Sequence, residues 1–142
     1  MNKLQSQMTS NITSFCMPAI VEAYTNPQSA VEIEKMRSEF EKRGLHMWQR
    51  LNAILGEGSC VKPTGAFYCF PSVAAFLNKP IGPKGTTSSE AVAFSTAVLE
   101  EAHVALVPGN DFGFADHVRL SFATSMGNID KGLDRIEKFL KG

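Results

Sequence analysis

A chain of 142 residues holds one domain's worth of material, and a hydrophobic content of 44% argues against disorder. Fourteen basic residues cancel fourteen acidic ones, so no cationic surplus exists to drive nucleic-acid binding. No apolar run approaches the ~18–20 residues of a membrane helix, and the opening MNKLQSQMTSN lacks an apolar signal core, so a cytoplasmic protein is expected.

The first predicted element is a short helix over SFCMPAIVEAY (14–24), with Ser14 as N-cap and Pro18 in the first turn, where a missing N–H costs least. TNPQ (25–28) ends it with turn chemistry. A long helix follows over 29–56, opened by a Ser29/Glu32 capping box and closed by Gly56. Ile33, Met36, Phe40, Met47, Trp48, Leu51, Ile54 and Leu55 recur at three and four, which makes one apolar stripe. Such a helix spans roughly 40 Å, against a radius of gyration of about 14 Å for a domain of this size. It is therefore expected to run along one side or to link two bodies, with Gly44 as a weak point or bend.

SCVKPTGAFYCFPSV (59–73) reads as two short strands about a PTG turn, and AFYCF (66–70) as a strand covered on both faces. LNKPIGPKGTTS (77–88) reads as a loop. Thr87 and Glu90 form a second capping box for a helix over 88–102. VALVPG (104–109) reads as a buried strand and NDFGFAD (110–116) as a loop. HVRLSFATS (117–125) alternates: Val118, Leu120 and Phe122 share one face, and Arg119 and Ser121 the other. Asn128 caps a final helix carrying Ile129, Leu133, Ile136 and Leu140. The order, with its short return connections, favours an α+β fold: a small, mainly antiparallel sheet with flanking helices.

Arg119 is the first candidate for chemistry. Strand charges are usually a solvated face. The alternative is that the guanidinium fork meets a carboxylate through two parallel hydrogen bonds, with Ser121 and Thr124 steadying it or the ligand. The loop VPGNDFG (107–113) is either an ordinary turn or a backbone wall against a ligand. SQMTSN (6–11) is either helix-cap chemistry or a set of donors for a phosphate. Tyr68 reads as core. Cys16, Cys60 and Cys69 lack CxxC spacing and read as reduced, small apolar residues. His46, His103 and His117 are scattered, so no metal site is assigned. No nucleophile–base constellation stands out, so no catalytic residue is assigned. None of the nine lysines has a context that suggests desolvation.

Four blocks, LQSQMTSNITS (4–14), PTGAFYCFPS (63–72), VLEEAHVALVPGNDFG (98–113) and VRLSFATSMGNIDKGLDRI (118–136), stand in the order and spacing found at the C-terminus of class I pyridoxal-phosphate aminotransferases. The resemblance covers about residues 4–140 and points to aspartate aminotransferase-like enzymes. It implies the small C-terminal domain of the type I pyridoxal-phosphate transferase fold over 28–142, entered by the bridging helix, with 1–27 as the tail of a large domain. It implies transamination between an amino acid, aspartate first, and a 2-oxo acid, with Arg119 as the arginine that grips the substrate α-carboxylate. GAFY (65–68) is a structural match, and Thr64 replaces a glutamate common in relatives.

The family's Schiff-base lysine, its aspartate partner to the pyridine nitrogen, its stacked aromatic ring and most of its phosphate contacts are not in these residues. Pyridoxal phosphate is therefore expected in the intact parent and not on this chain, which is read as a cloned domain or a shortened reading frame and as inactive alone. Homo-oligomers through exposed apolar helices are expected, without nucleic-acid or membrane partners. The competing reading is a non-catalytic α+β module that binds carboxylates or a partner protein. A ferredoxin-like ligand domain ranks last, because the element order from residue 59 does not match it.

Overall fold

Apolar periodicity decides which helix faces can be buried, and the computed structural model, which describes residues 2–8 and 12–142, divides into two units, 1–38 and 39–142. In the first unit, α1 spans Asn2–Met8 and α2 spans Met17–Thr25. Ser14 does not cap α2: it begins a 3-10 turn, Ser14–Cys16, that runs into the helix, and Pro18 sits in the first turn as expected. Asn26 ends α2, its amide bonding the Glu22 carbonyl at 2.9 Å and its side-chain oxygen accepting the Gln28 N–H at 2.8 Å.

α3, Ser29–Leu55, is continuous through both units. It differs from expectation at its start and its middle. The Gln28 carbonyl accepts the Val31 and Glu32 amides, so Ser29 is already helical, and Glu32 bonds Lys35 at 2.7 Å rather than closing a capping box. Its buried residues, Gly44, Met47, Leu51 and Leu55, all fall in the second unit, and Ile33 and Met36 remain exposed. Gly44 is no bend. A Cβ there would lie 3.0 Å from Cζ of Phe122, so the absent side chain makes room for a ring. Gly56, at φ +108°, ends the helix as expected.

The second unit carries a three-stranded antiparallel sheet in the order β1 (Tyr68–Cys69), β5 (Val118–Ser121), β4 (Val107–Pro108). The segment before PTG forms no strand, because Cys60 is bolted to α3 instead. Trp48 Nε1 donates to its carbonyl at 2.9 Å, and Asn52 bonds both its N–H and its carbonyl. Residues 80–87, expected as loop, contain a small hairpin, β2 (Pro80–Ile81) with β3 (Thr86–Thr87). Thr87 lies in that strand, so the expected second capping box does not form. α4 starts later, at Ala91–Ala97, and widens into a π-turn over Val98–Ala102. The last helix, α5 (Met126–Lys141), is capped by Ser125, whose Oγ accepts the Asn128 N–H at 3.2 Å; Asn128 is inside the helix.

The core joins Leu51 of α3, Phe94 of α4, Val98 of the π-turn, Val118 of β5, Ile129 and Leu133 of α5, and Val73, which follows β1. The α+β class with a small antiparallel sheet is as expected from the sequence. No helix among the described residues is long and apolar enough to cross a membrane.

Candidate functional site

β5 is anchored on one face and open on the other. Val118 and Leu120 are buried, and Phe122 beyond them is 3% exposed, so the pleat turns Arg119 and Ser121 away from the core. In the antiparallel register Arg119 faces Val107 on β4, and Tyr68 on β1 faces Ser121, one pleat from Arg119. Side chains at such diagonal positions touch when one is long and the other aromatic. The guanidinium carbon of Arg119 lies 4.4 Å from the ring centre of Tyr68 and 4.8 Å from that of Phe112. Tyr68 reaches it from one neighbouring strand, and Phe112 from the 3-10 turn Gly109–Phe112 that follows the other.

Arg119 is half-buried and has no hydrogen bond or ion pair with any described residue. Its guanidinium is always charged, and its ordinary companion is a carboxylate. Arg43 and Arg50 show that behaviour in the same unit: Arg43 bonds Glu39 at 2.8 Å, and Arg50 bonds Asp134 at 2.7 Å. Among the described residues, Arg119 instead has rings against its guanidinium and no acid on its donors.

The rings are themselves supported. Phe112 meets Phe70 edge-on at 5.9 Å, Phe70 meets Phe114 at 5.8 Å, and Phe70 stacks on His117 at 5.1 Å. His117 Nδ1 lies 2.7 Å from Asp116 Oδ1, and that hydrogen bond holds the Asp116 carboxyl below its ordinary range. Ala66 takes a left-handed φ of +55° just before Phe67 and Tyr68, a conformation that costs a side chain of the order of 1–2 kcal/mol. The loop 107–113 is closed by Gly109, where a Cβ would strike the carbonyl oxygens of Phe114 and, at 2.7 Å, of His117.

Several expectations change here. Tyr68 is 37% exposed and faces Arg119, so it is not core, and AFYCF is covered on one face only. VALVPG is not a buried strand, since Val107 is 38% exposed. The loop 107–113 supplies a ring, that of Phe112, beside Arg119. Ser121 Oγ accepts the Ala123 N–H at 3.2 Å, and Thr124 Oγ1 accepts Asn128 Nδ2 at 3.1 Å, so both hydroxyls serve local turns rather than Arg119. Of SQMTSN, residues 9–11 lie outside the described residues; Ser6 lies within α1 and its Oγ donates to the Lys3 carbonyl at 3.0 Å. The partnership of Arg119 with Tyr68 and Phe112 was missed because it joins three segments. Only the aromatic residues of GAFY and NDFG signalled it.

The thiols of Cys60 and Cys69 are buried and free, and that of Cys16 is half-buried and free. The hydrogen bond with Cys60, and then burial, keep the Cys69 thiol neutral. Among the described residues, no group of three or more His, Cys, Asp or Glu side chains converges as a metal site. All nine lysines of the chain are exposed.

The family model for aminotransferase class I and II matches residues 1–136. The chain is 42% identical over 141 residues to an aspartate aminotransferase of Geobacillus stearothermophilus, covering 99% of this chain and 34% of that protein. It is 41% identical over 141 residues to an asparagine–oxo-acid transaminase of Streptococcus mutans, again covering 99% and 34%. Among solved structures, an aspartate aminotransferase of Rhizobium meliloti superposes with a TM-score of 0.84 at 36% identity, covering 96% of this chain and 33% of that one. The chain thus spans about a third of the length of the relatives it matches.

Proposed function

This chain belongs to the aminotransferase class I and II family, and from that premise we propose that it forms the C-terminal part of a transaminase in which Arg119 binds the α-carboxylate of the substrate. Residues 28–142 would be the small domain and 1–27 the tail of a large one. Class I aminotransferases use pyridoxal phosphate, which takes up and hands on the amino group. The substrate pair is an amino acid, aspartate first, and a 2-oxo acid, in keeping with the names of the relatives. We place the activity in the cytoplasm on the same resemblance.

The observation that carries this reading is the guanidinium of Arg119, half-buried on a strand and without an acid among the described residues. A bidentate carboxylate would complete it and fix the orientation of the substrate's Cα–H bond. The role of this chain is binding and orientation. We propose further that the chain alone does not transaminate.

Two experiments test the reading. Titrating the chain with succinate should shift amide resonances centred on β5, and Arg119→Ala should weaken that response at least tenfold, as expected for loss of a charged fork. An unchanged response in the variant removes Arg119 from the proposal. Incubation with pyridoxal phosphate followed by borohydride should give no stoichiometric adduct on a single lysine. Such an adduct, together with amino transfer from aspartate to 2-oxoglutarate, would show that the chain is catalytic alone.

A second reading rests on the first unit. Phe15 is 80% exposed, Tyr24 89% and Val21 58%, and none of the α2 residues is buried. Such a surface suits a partner or a second copy. A clean monomer by light scattering at high concentration would count against it.

A further inference from the structure

We infer that Tyr68 and Phe112 are positioning residues for Arg119: their rings hold the guanidinium so that its N–H edge, rather than its faces, is offered to a carboxylate. The inference rests on the carboxylate-binding reading of Arg119 and adds what makes that arginine ready to bind. A guanidinium is planar, its faces are weakly hydrated, and its five donors lie in its own plane. An aromatic ring satisfies a face by cation–π attraction and leaves the in-plane donors free. Arg119 has two such rings at 4.4 and 4.8 Å, one from each neighbouring strand's side of β5.

At Arg43 and Arg50 of the same unit an acid does this work, and Arg135 donates to the His103 carbonyl at 3.4 Å. Arg43 also passes near a ring, Phe40 at 5.7 Å, but its donors are taken by Glu39 and by the Thr124 carbonyl at 2.7 Å. Rings position a cation without competing for its hydrogen bonds; acids position it and consume them. The supports behind the rings suit the same purpose. Phe112 is braced by Phe70, which is braced by Phe114 and His117. Phe122, on the opposite face of the strand, donates its N–H to the carbonyl of Phe67 at 2.9 Å, tying the GAFY turn to β5. Tyr68 and Phe112 are 37% and 46% exposed, so core packing does not account for their rings, and their replacement leaves the core intact.

The test is the Nε–H resonance of Arg119 in the full chain, assigned by its loss in Arg119→Lys and followed through a succinate titration. In the parent it should be shifted by the rings, protected from solvent exchange and responsive to succinate. Tyr68→Leu and Phe112→Leu should each move it toward the position of a free arginine and weaken the succinate response by about three- to tenfold, the scale of one cation–π contact. Tyr68→Phe and Phe112→Tyr should restore both, which a loss of mere bulk would not predict, and melting curves of all variants should match the parent within a few degrees. A ring-dependent shift without any succinate response would overturn the carboxylate reading and leave the ring grip standing. An equal succinate response in parent and leucine variants would overturn the grip and leave the carboxylate reading standing.

Discussion

The two units of this chain use helices in opposite ways. In residues 39–142, each α-helix buries a face: α5 buries Ile129, Leu133, Ile136 and Phe139, α4 buries Phe94 and Ala97, and the second half of α3 buries Met47, Leu51 and Leu55. In residues 1–38, no described residue is buried, and α2 and the start of α3 expose Phe15, Val21, Tyr24, Ile33 and Met36. Helical periodicity is present in both. What differs is whether this chain supplies the surface that covers the stripe. Most helical stability comes from packing of the apolar face rather than from propensity, so the second unit carries its own stability and the first does not.

The largest effect that would sharpen this contrast is in the core. Phe94, 1% exposed, should cost about 3–5 kcal/mol when replaced by alanine, read as loss of cooperative unfolding of the second unit. Gly109→Ala should follow at about 3 kcal/mol, because its Cβ would meet backbone carbonyls that cannot step aside. Ser125→Ala, which removes the α5 cap, should cost about 1 kcal/mol in denaturant unfolding. Phe15→Ser with Tyr24→Ser should change the same unfolding transition by less than about 0.5 kcal/mol and reduce light scattering. A large loss of stability from that pair would break the contrast.

The smallest effect is electrostatic. Hydrogen bonding by His117 depresses the folded-state pKa of Asp116 below its ordinary 3.8. A depressed carboxylate contributes stability that is present above its unfolded pKa and lost as pH falls through the folded one. Asp116→Asn should therefore melt slightly below the parent at neutral pH, and the two curves should converge below pH 3.8.

The sequence was most informative where one chemical signal decided the structure. Val118, Leu120 and Phe122 alternate, and that alone placed Arg119 on the open face of a strand. Ile129, Leu133 and Ile136 of α5 and the unbroken run of α3 were equally plain, although the fourth buried position of α5 is Phe139 and not Leu140. Capping was harder to read, because several cap-capable residues stand close together: Ser125 won over Asn128, and Thr87 was drawn into a hairpin. Gly44 looked like a weak point and is a packing contact, since its purpose lies in Phe122, far along the chain. The rings on Arg119 were illegible for the same reason: residues 68, 112 and 119 meet only once the strand order β1-β5-β4 is set.

A crystal structure of the chain with succinate tests the central claim most directly. The account predicts one carboxylate forked on the Arg119 guanidinium through two hydrogen bonds of about 2.8 Å, with Tyr68 and Phe112 still against its faces. Arg119 folded onto an aspartate or glutamate of its own chain, with succinate bound elsewhere, would contradict it.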